Sequence, residues 1–456
     1  MDPSTAGKAL RATLPRSQQD RLGPLDRDPI EILQSQNATR IQDLVPVRFG
    51  RMLQSPFAFY RGAAALMATD LGGSPTTDVR VVSCGDAHIS NFGFFASPER
   101  NLLFDLNDFD EAGIAPWEWD LKRLVTSIYI GGRDKGLSED SCFDAARTAA
   151  ASYRRWTHAL QEMTVLERYY ARLDADRLQE LVVRPKAAKA LRKVTDKARS
   201  RTSEQVLDKI ATRTESGDIT MLDNPPILTH PGHADEETVR RIAAAYAATI
   251  GADVAHLLSQ FRVTDLALRV VGVGSVGTRC YVVALQGPLD EALFLQVKEA
   301  RPSVLVTYGG MPETLPGVPP GVEHTQGHRV VAAQRILQAS SDPFLGWVVG
   351  YDGIQGQQVR VDYYWRQFRD MKGSFDLSRL KTKGYVRAGE VCAALLARAH
   401  AQSAGAALAA AYLGSSDKTD SAFARFARAY ADVNEQDYAV LQSAVSRGVL
   451  PAEFGV

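Results

Sequence analysis

The spacing of apolar residues along the first third of the chain predicts helices that surround short strands. Apolar side chains recur at helical intervals from Arg51 to Leu71, and the same periodicity predicts helices over Trp117–Gly131 and Cys142–Leu173. The short apolar runs Val79–Val82 and Leu102–Leu106 predict strands. The first strand leads into the loop that begins at Gly85, and the second leads to Asp108.

The pattern changes in the second half of the chain. An Ala-rich helix is predicted over Glu236–Leu258. From Asp265 onward, β-branched and aromatic runs separated by turn residues predict an antiparallel meander that includes Cys280–Leu285 and Leu293–Lys298. Further along, strands are predicted over Phe344–Val349 and Val359–Phe368, and helices over Val330–Ala339, Gly384–Ala411 and Ser421–Val445. The pattern therefore predicts a β-rich unit followed by a helical one.

Composition narrows the class of protein. The 456 residues carry a formal net charge of +0 and are 45% hydrophobic, which is typical of a globular protein and gives no general attraction to nucleic acid or to an anionic membrane. No apolar run approaches the roughly 18–20 residues of a membrane span, and the N-terminus lacks a secretion signal. The four cysteines form no CxxC pair. We therefore expect a cytoplasmic protein with free thiols and neither a nucleic-acid nor a membrane partner.

Two acidic loops carry the candidate chemistry. Gly85-Asp-Ala-His-Ile-Ser-Asn91 follows the first predicted strand, and Asp108-Phe-Asp110 follows the second. Metal-assisted phosphoryl transfer needs a carboxylate that positions the attacking hydroxyl, and an amide oxygen and a second carboxylate that hold Mg²⁺ on nucleotide phosphates. With Glu111 the second loop is densely acidic, and a divalent cation is its natural counter-charge. The predicted metal ligands are Asn91, Asp108 and Asp110.

A glycine-rich loop predicts a phosphate site. Gly272, Gly274 and Gly277, with Ser275 between them, form a GxGxxG pattern. This pattern occurs both in dinucleotide-binding crossovers, where a helix follows, and in kinase phosphate lids, where a strand follows. The residues after Gly277 favour a strand, hence the lid, although Glu299 keeps the dinucleotide interpretation open and an ordinary hairpin is the structural alternative.

Two further features would complete a nucleotide site. Lys298, at the end of the next strand, would reach the α- and β-phosphates. The expected acidic partner of Lys298 is missing from the helix predicted over Val330–Ala339. The strand ending at Gln367–Arg369 fits a hinge whose backbone groups would hold the adenine edge, and an edge strand with a turn is the alternative.

The segment Cys84–Leu124 resembles the catalytic half of aminoglycoside and choline phosphotransferases, which carry a pattern like HGDxHxxN followed by IDFDxAxxGDPxxDLA. The chain reads CGDAHISN, then NDFDEA, then WEWDL, with Cys84 in place of the usual leading His. The resemblance implies that Asp86 is the catalytic base and that His88 orients the loop. It also implies that Asn91 and Asp108 bind Mg²⁺ and that Asp120 is a buried brace.

The order of these parts is inverted, because the glycine loop and its lysine follow the catalytic loop by about 190 residues, whereas ordinary kinases place them first. The resemblance therefore implies a circularly permuted protein-kinase-like fold of the α+β class. The segments SPFAFYRG, CGDAHISNFG, NDFDE, PWEWDLKR, VGVGSVGTRC and RQFRDMKGS also resemble the bacterial family known as domain of unknown function 2252 (DUF2252) across nearly the whole chain.

The expected organisation follows from this resemblance. A partly ordered leader over 1–40 precedes the catalytic loops in 41–173, a helical insertion spans 174–254, the β-rich nucleotide lobe spans 255–372, and 373–456 completes the helical catalytic lobe. The expected activity is ATP- and Mg²⁺-dependent phosphoryl transfer to a hydroxyl of a small-molecule acceptor. A nucleotide-binding pseudokinase and a nucleotidyl (AMP) transferase are the alternatives.

Overall fold

A computed structural model describes residues 3–180, 185–201, 203–230, 236–270, 272–314, 325–354 and 357–455. Helices make up 51% and strands 16% of the structure, and every strand pair is antiparallel. The predicted α+β class with antiparallel sheets is therefore confirmed.

The helices follow one another along the chain as α1 Pro3–Thr13, α2 Pro29–Asn37, α3 Val45–Met52, α4 Pro56–Gly62, α5 Ala64–Gly72, α6 Trp117–Asp134, α7 Glu139–Gln161, α8 Val165–Tyr170, α9 Ala175–Glu180, α10 Pro185–Arg199, α11 Ser203–Ile210, α12 Glu236–Ala247, α13 Ala252–Leu258, α14 Val304–Thr307, α15 Gln326–Leu337, α16 Thr382–His400, α17 Ala406–Leu413 and α18 Lys418–Ser446. The strands are β1 Arg80–Ser83, β2 Phe92–Ala96, β3 Leu102–Leu106, β4 Gly113–Pro116, β5 Ala211–Arg213, β6 Ile219–Met221, β7 Leu228–Thr229, β8 Arg262–Arg269, β9 Cys280–Gln286, β10 Ala292–Glu299, β11 Gly346–Ile354 and β12 Gln357–Gln367.

The largest sheet contains six antiparallel strands in the order β11-β12-β10-β9-β8-β7. Its central strand β10 is buried along most of its length, as expected for a run of apolar residues with neighbours on both sides. The register places Lys298 of β10 opposite Tyr364 of β12 on one side and Cys280 of β9 on the other. The glycine-rich loop connects β8 to β9, so it lies at the same end of the sheet as Lys298.

A helical body packs beside this sheet. Helix α6 is buried from Trp117 to Gly132 and packs against α7 and α18, while α16 packs against α7. A helix buried on all sides must satisfy its polar groups internally, and α6 carries buried Asp120 and Arg123. Both side chains contact the loop Cys84–Asn91, so α6 supports the candidate site.

Two small two-stranded sheets carry the acidic loops. Strand β1 pairs with β4, and β2 pairs with β3. The segment Cys84–Asn91 lies between β1 and β2, whereas Asn107–Ala112 lies between β3 and β4. The two loops therefore leave neighbouring short strands and meet on one side of α6.

The sequence pattern missed several interruptions of the helices. The helix predicted over Arg51–Leu71 is three helices, because Ser55 caps a new helix whose first residue is Pro56. The helix predicted over Gly384–Ala411 breaks between α16 and α17, where Gly405 contacts the backbone of Arg80 so closely that a Cβ atom would overlap it. Periodicity detects an apolar face but not such breaks.

The segment after residue 173 also contains strands that the pattern did not predict. Short strands β5 and β6 form a hairpin, and β7 is the edge strand of the large sheet. These strands have two or three residues each, too few to show an alternating pattern. Segment 1–40, which we expected to be a partly ordered leader, contains α1 and α2.

The four cysteines are buried and unpaired. Among the described helices, none combines the length and the apolar character that crossing a membrane requires.

Candidate functional site

The loop Cys84–Asn91 is anchored by Asp120 of α6. One carboxylate oxygen of Asp120 accepts the backbone N–H of Cys84 at 2.6 Å, and the other accepts that of Gly85 at 2.9 Å. His400 Nε2 lies 3.1 Å from the same carboxylate, and its Nδ1 lies 2.7 Å from the hydroxyl of Tyr153. A buried carboxylate that receives backbone N–H groups holds a loop in one conformation.

Asp86 projects from this loop against Arg123 of α6. The Arg123 Nε–H donates to Asp86 Oδ1 at 2.8 Å, and its guanidinium lies 3.8 Å from the centre of the Tyr60 ring. Burial raises the pKa of Asp86, while Arg123 opposes the rise. His88 Nε2 lies 3.8 Å from Asp86 Oδ2, and burial keeps the pKa of His88 well below its usual range. A neutral imidazole therefore faces the carboxylate.

Asn91 and Asp108 lie at the bottom of the cleft. The Asn91 side-chain amide donates to the carbonyl of Asp86 at 2.8 Å, which turns the amide oxygen away from that carbonyl. Burial alone would raise the pKa of Asp108, but the positive charges of Lys298 and Arg366 lower it to about 2. Oδ1 of Asp108 is shielded from solvent and accepts no hydrogen bond from any described residue. An ionised, unsatisfied carboxylate oxygen favours a cation or a hydrogen-bond donor from a ligand.

Lys298 reaches both residues of the second acidic loop. Its ammonium nitrogen lies 2.5 Å from Asp110 Oδ2 and 3.6 Å from Asp108 Oδ1, across 188 residues of sequence from Asp110. The Tyr364 hydroxyl donates to the other oxygen of Asp110 at 2.5 Å. The structure thus brings Lys298 and the acidic loop together, and both oxygens of Asp110 are already engaged.

An acidic residue on α15 was expected as the partner of Lys298, but the residue of α15 that contacts the second acidic loop is a cation, Arg329. It lies near the start of α15 and donates to the carbonyls of Asp110 (2.8 Å), Arg301 (2.7 Å) and Ala112. The acidic partner of Lys298 is therefore a loop residue, Asp110, and α15 instead holds that loop through its backbone.

Glu111 ties the acidic loop to the start of α14. Its carboxylate accepts the backbone N–H of Val304 at 2.7 Å, and the Ser303 hydroxyl donates to the Glu111 carbonyl at 2.7 Å. Burial raises the pKa of Glu111 to about 7.

The glycine-rich loop adopts the backbone conformations that its glycines permit. Gly272 and Gly277 have φ values of +65° and +84°, in the left-handed region. The loop is held through its carbonyls, since Arg51 donates to the carbonyl of Gly272 at 2.5 Å and Ile41 donates to that of Gly277 at 2.8 Å. Among the described residues, none accepts a hydrogen bond from the N–H of Gly274 or Ser275, so these donors are available to a ligand.

The site residues line two adjoining cavities of about 750 Å³ and 590 Å³. The larger cavity contains Asp86, His88 and Asp110, and the smaller one contains Lys298. Both cavities are lined by Asn91, Asp108, Gly272 and Ser275. Two of the residues predicted to bind metal and two of those predicted to bind phosphate therefore lie at the junction of the two cavities, each of which has room for a small molecule.

The predicted hinge lies at the far wall of the smaller cavity. The backbone N–H of Gln367 donates to Asp342 Oδ2 at 2.5 Å, and that of Phe368 donates to the carbonyl of Phe294 at 2.9 Å. Arg369 has a left-handed φ of +54°. Two of the predicted backbone donors are therefore used within the protein, and the N–H of Arg369 donates to no described residue.

Sequence reasoning missed three side chains that shape the site. Arg123 lies within the PWEWDLKR segment and could have been found as a cation next to the predicted brace. Tyr364 and Arg329 carry no local signal, since each reaches the acidic loop only through the packing of the sheet and α15. No group of three or more His, Cys, Asp or Glu side chains in the described part of the chain is arranged as a metal centre.

No curated protein and no solved structure matches the chain. A family model described as an uncharacterized protein conserved in bacteria (DUF2252) matches residues 40–444. The matched range includes both acidic loops, the glycine-rich loop and Lys298. Because the match extends over most of the sequence, the chain belongs to the DUF2252 family.

Proposed function

We propose that this protein is an ATP- and Mg²⁺-dependent phosphotransferase with a circularly permuted kinase-like fold, acting on a hydroxyl of a small molecule. The observation that carries the proposal is the position of Lys298, whose ammonium lies 2.5 Å from Asp110 and 3.6 Å from Asp108. Kinase chemistry needs a lysine, a glycine-rich lid and a metal-binding acid in one cleft. All three surround the junction of the two cavities.

The phosphate-binding role is supported by donors on two sides of the smaller cavity. Lys298 contributes a positive charge, and Ser275 of the glycine-rich loop contributes an unsatisfied N–H, while the unsatisfied N–H of Gly274 belongs to the part of the loop that lines the larger cavity. Oriented backbone N–H groups and a lysine stabilise charge on phosphoryl oxygens without reorganising in the transition state. They would bind the triphosphate and fix its position.

The residues at the junction also fit Mg²⁺. Asp108 Oδ1 is shielded and accepts no hydrogen bond from a described residue, although the Lys298 ammonium lies 3.6 Å away, and Asn91 is the neighbouring oxygen donor. Mg²⁺ in nucleotide sites takes one or two protein ligands and completes its coordination with phosphate and water oxygens, so the absence of a preformed acidic cluster among the described residues is compatible with it. When bound, Mg²⁺ would neutralise phosphate charge. Asp110 is better suited to pairing with Lys298 than to binding metal.

Asp86 is the proposed base. It lines the larger cavity, where the acceptor would bind, and Arg123 fixes one of its oxygens. The acceptor hydroxyl would give its proton to Asp86 as its oxygen bonds to the γ-phosphorus, and the bond to the β-phosphate oxygen would break to release ADP. The raised pKa of Asp86 suits a group that must accept a proton.

The test is to incubate the protein with Mg²⁺, a bacterial small-molecule extract and either γ-labelled or α-labelled ATP. We expect γ-label in a small-molecule product and no product with the Asp86→Asn variant, which should still bind ATP. Transfer of α-label instead would identify an AMP transferase. Mg²⁺-dependent ATP binding with no transfer of either label would identify a pseudokinase, and no ATP binding at all would refute both enzyme proposals.

A further inference from the structure

The smaller cavity has an unusually cationic wall. Six basic residues line it without forming an ion pair to any carboxylate in the described part of the chain: Arg201, Lys209, Arg269, Arg366, Arg369 and Lys372. Lys298 and Arg51 also line the cavity, so it has eight basic side chains, and Asp108 is the only acidic side chain among the described lining residues. The basic side chains that line the smaller cavity therefore outnumber the carboxylates that could neutralise them.

Two of these cations donate to neutral acceptors of the protein, Arg366 to Gln296 Oε1 at 2.9 Å and Arg201 to the carbonyl of Lys372 at 2.6 Å, whereas Arg269 has an unused donor. Nη1 of Arg269 is buried and donates no hydrogen bond to any described residue. Burial, together with the neighbouring charge of Arg369, lowers the pKa of Arg269 to about 10. Buried donors without acceptors destabilise a protein unless a ligand supplies the acceptors. An anion in this cavity would supply them.

The same wall has few groups that could stack on a nucleobase or bind its edge. Two guanidinium groups lie over the Phe368 ring, that of Arg269 at 4.7 Å and that of Arg369 at 5.3 Å from the ring centre. The backbone N–H groups of Gln367 and Phe368 are engaged by Asp342 and Phe294. Selection of one base over another depends on hydrogen bonds to its edge, aided by a stacking surface. Here two guanidinium groups lie over the one aromatic ring at the strand end, and two of the neighbouring backbone N–H donors are already used.

We infer that this cavity recognises its phosphoryl donor by the phosphate chain and not by the base, so that nucleoside triphosphates of any base and inorganic tripolyphosphate bind alike. The inference rests on the proposed function, because it names the donor class for the same site. Guanidinium and ammonium groups bind phosphate oxygens through charge-assisted hydrogen bonds that carry no information about a base.

The test is calorimetric titration of the full-length protein with the Mg²⁺ complexes of ATP, CTP and tripolyphosphate at one ionic strength. We expect dissociation constants within about tenfold of one another. The double variant Arg269→Gln/Arg369→Gln should weaken binding of all three by at least about tenfold and by the same factor. Arg155→Gln, a change to a 55% exposed arginine on α7 that does not line the cavity, should leave all three unchanged.

The outcomes separate this inference from the proposed function. Binding of ATP at least about 100-fold tighter than CTP and tripolyphosphate would overturn the inference and leave the kinase proposal standing. Equal binding of all three with no transfer of γ-label would uphold the inference and refute the kinase. Binding of none would overturn the inference. Should the double variant fail to fold, judged by circular dichroism, Lys372→Gln alone tests the same wall.

Discussion

At the scale of single residues, Gly85 holds the two acidic loops together, and a side chain at this position would be both strained and in steric overlap. Gly85 has a φ of +77°, and a Cβ atom there would overlap the carbonyl oxygen of Glu111. The N–H of Gly85 donates to Asp120. Gly85 therefore contacts its own loop, Cys84–Asn91, the second acidic loop, Asn107–Ala112, and α6. One glycine thus couples both halves of the candidate site.

Gly85→Ala should therefore be far more damaging than an equivalent change elsewhere. We expect it to lower the free energy of unfolding by about 3 kcal/mol, since backbone strain and steric overlap add. Gly136→Ala is the matched control, because Gly136 has a φ of +73° but open space around it, and it should cost about 1–2 kcal/mol. Urea denaturation measures both variants, and equal losses would contradict the proposed overlap.

The metal assignment is also a single-residue prediction. Asp108→Ala should abolish the extra thermal stabilisation that Mg²⁺ adds to ATP, because it removes the shielded carboxylate oxygen at the cavity junction. Asp144→Ala, on the exposed face of α7, is the control and should behave as the wild type. A melting shift that persists in Asp108→Ala would mean that this residue does not bind the metal.

His230 gives a prediction about pH. Hydrogen bonds to Asp265 and Asp223 raise its pKa above the ordinary value of 6.5, although burial opposes the rise. Because the folded-state pKa is raised, the stabilisation is fully present below about pH 6.5 and is lost as the pH rises through the folded-state value. His230→Gln should therefore lower the melting temperature more at pH 5.5 than at pH 9. An equal fall in melting temperature at pH 5.5 and at pH 9 would show that a protonated His230 does not stabilise the protein.

At the scale of elements, the site depends on three segments that meet without being neighbours in sequence. Strand β10 contributes Lys298, strand β12 contributes Tyr364, and the loop between β3 and β4 contributes Asp110. Lys298 and Tyr364 are directly opposite in the sheet register, so one loop residue can contact both. The antiparallel pairing is what makes this arrangement possible.

Lys298→Met should destabilise the protein and reveal this coupling. Removing one member of a buried ion pair leaves an uncompensated carboxylate and should cost about 3 kcal/mol. In a double-mutant cycle with Asp110→Asn, we expect the double variant to be at least about 1 kcal/mol more stable than the sum of the single changes predicts. Purely additive losses, measured by denaturation, would show that the contact is not energetically coupled.

At the scale of the whole molecule, an ion-pair network joins the N-terminal segment to the helical body. Arg27 lies 2.7 Å from Asp70 of α5 and 2.7 Å from Asp437 of α18, with two hydrogen bonds to each carboxylate. The Tyr430 hydroxyl also donates to Asp70 at 2.6 Å. This network fixes distant parts of the chain to one another.

Arg27→Met should therefore cost about 3–5 kcal/mol of unfolding free energy, because it leaves two shielded carboxylates facing each other. Arg425→Met is the control, since Arg425 pairs with Asp20 at a half-exposed surface position and should cost at most about 1 kcal/mol. Thermal unfolding compares the two variants. A similarly small loss of unfolding free energy in both variants would show that solvent, and not Arg27, stabilises the charges of Asp70 and Asp437.

The extent of sequence-based prediction follows from how local each feature is. Strand Leu102–Leu106 was predicted with its observed limits, because apolar runs bounded by polar turns act locally. The break at Pro56 was missed although Ser55 and Pro56 form a local start signal, because the apolar periodicity continues across it. The break after His400 was missed because it is tied to a tertiary contact, that of Gly405 with the backbone of Arg80. Strand β7 was missed because it exists only by pairing with β8.

The sequence by itself determined the family and the α+β class, and it identified Asp86, Asn91 and Asp108 as a group, since these three residues lie on two loops joined by one short hairpin. Only the tertiary structure decided that Asp110 is the partner of Lys298, that Tyr364 completes the pair, and that cations from several elements line one cavity. The physical reason is that long-range ion pairs depend on how strands and helices pack, and packing leaves no periodic signal in the residues that meet.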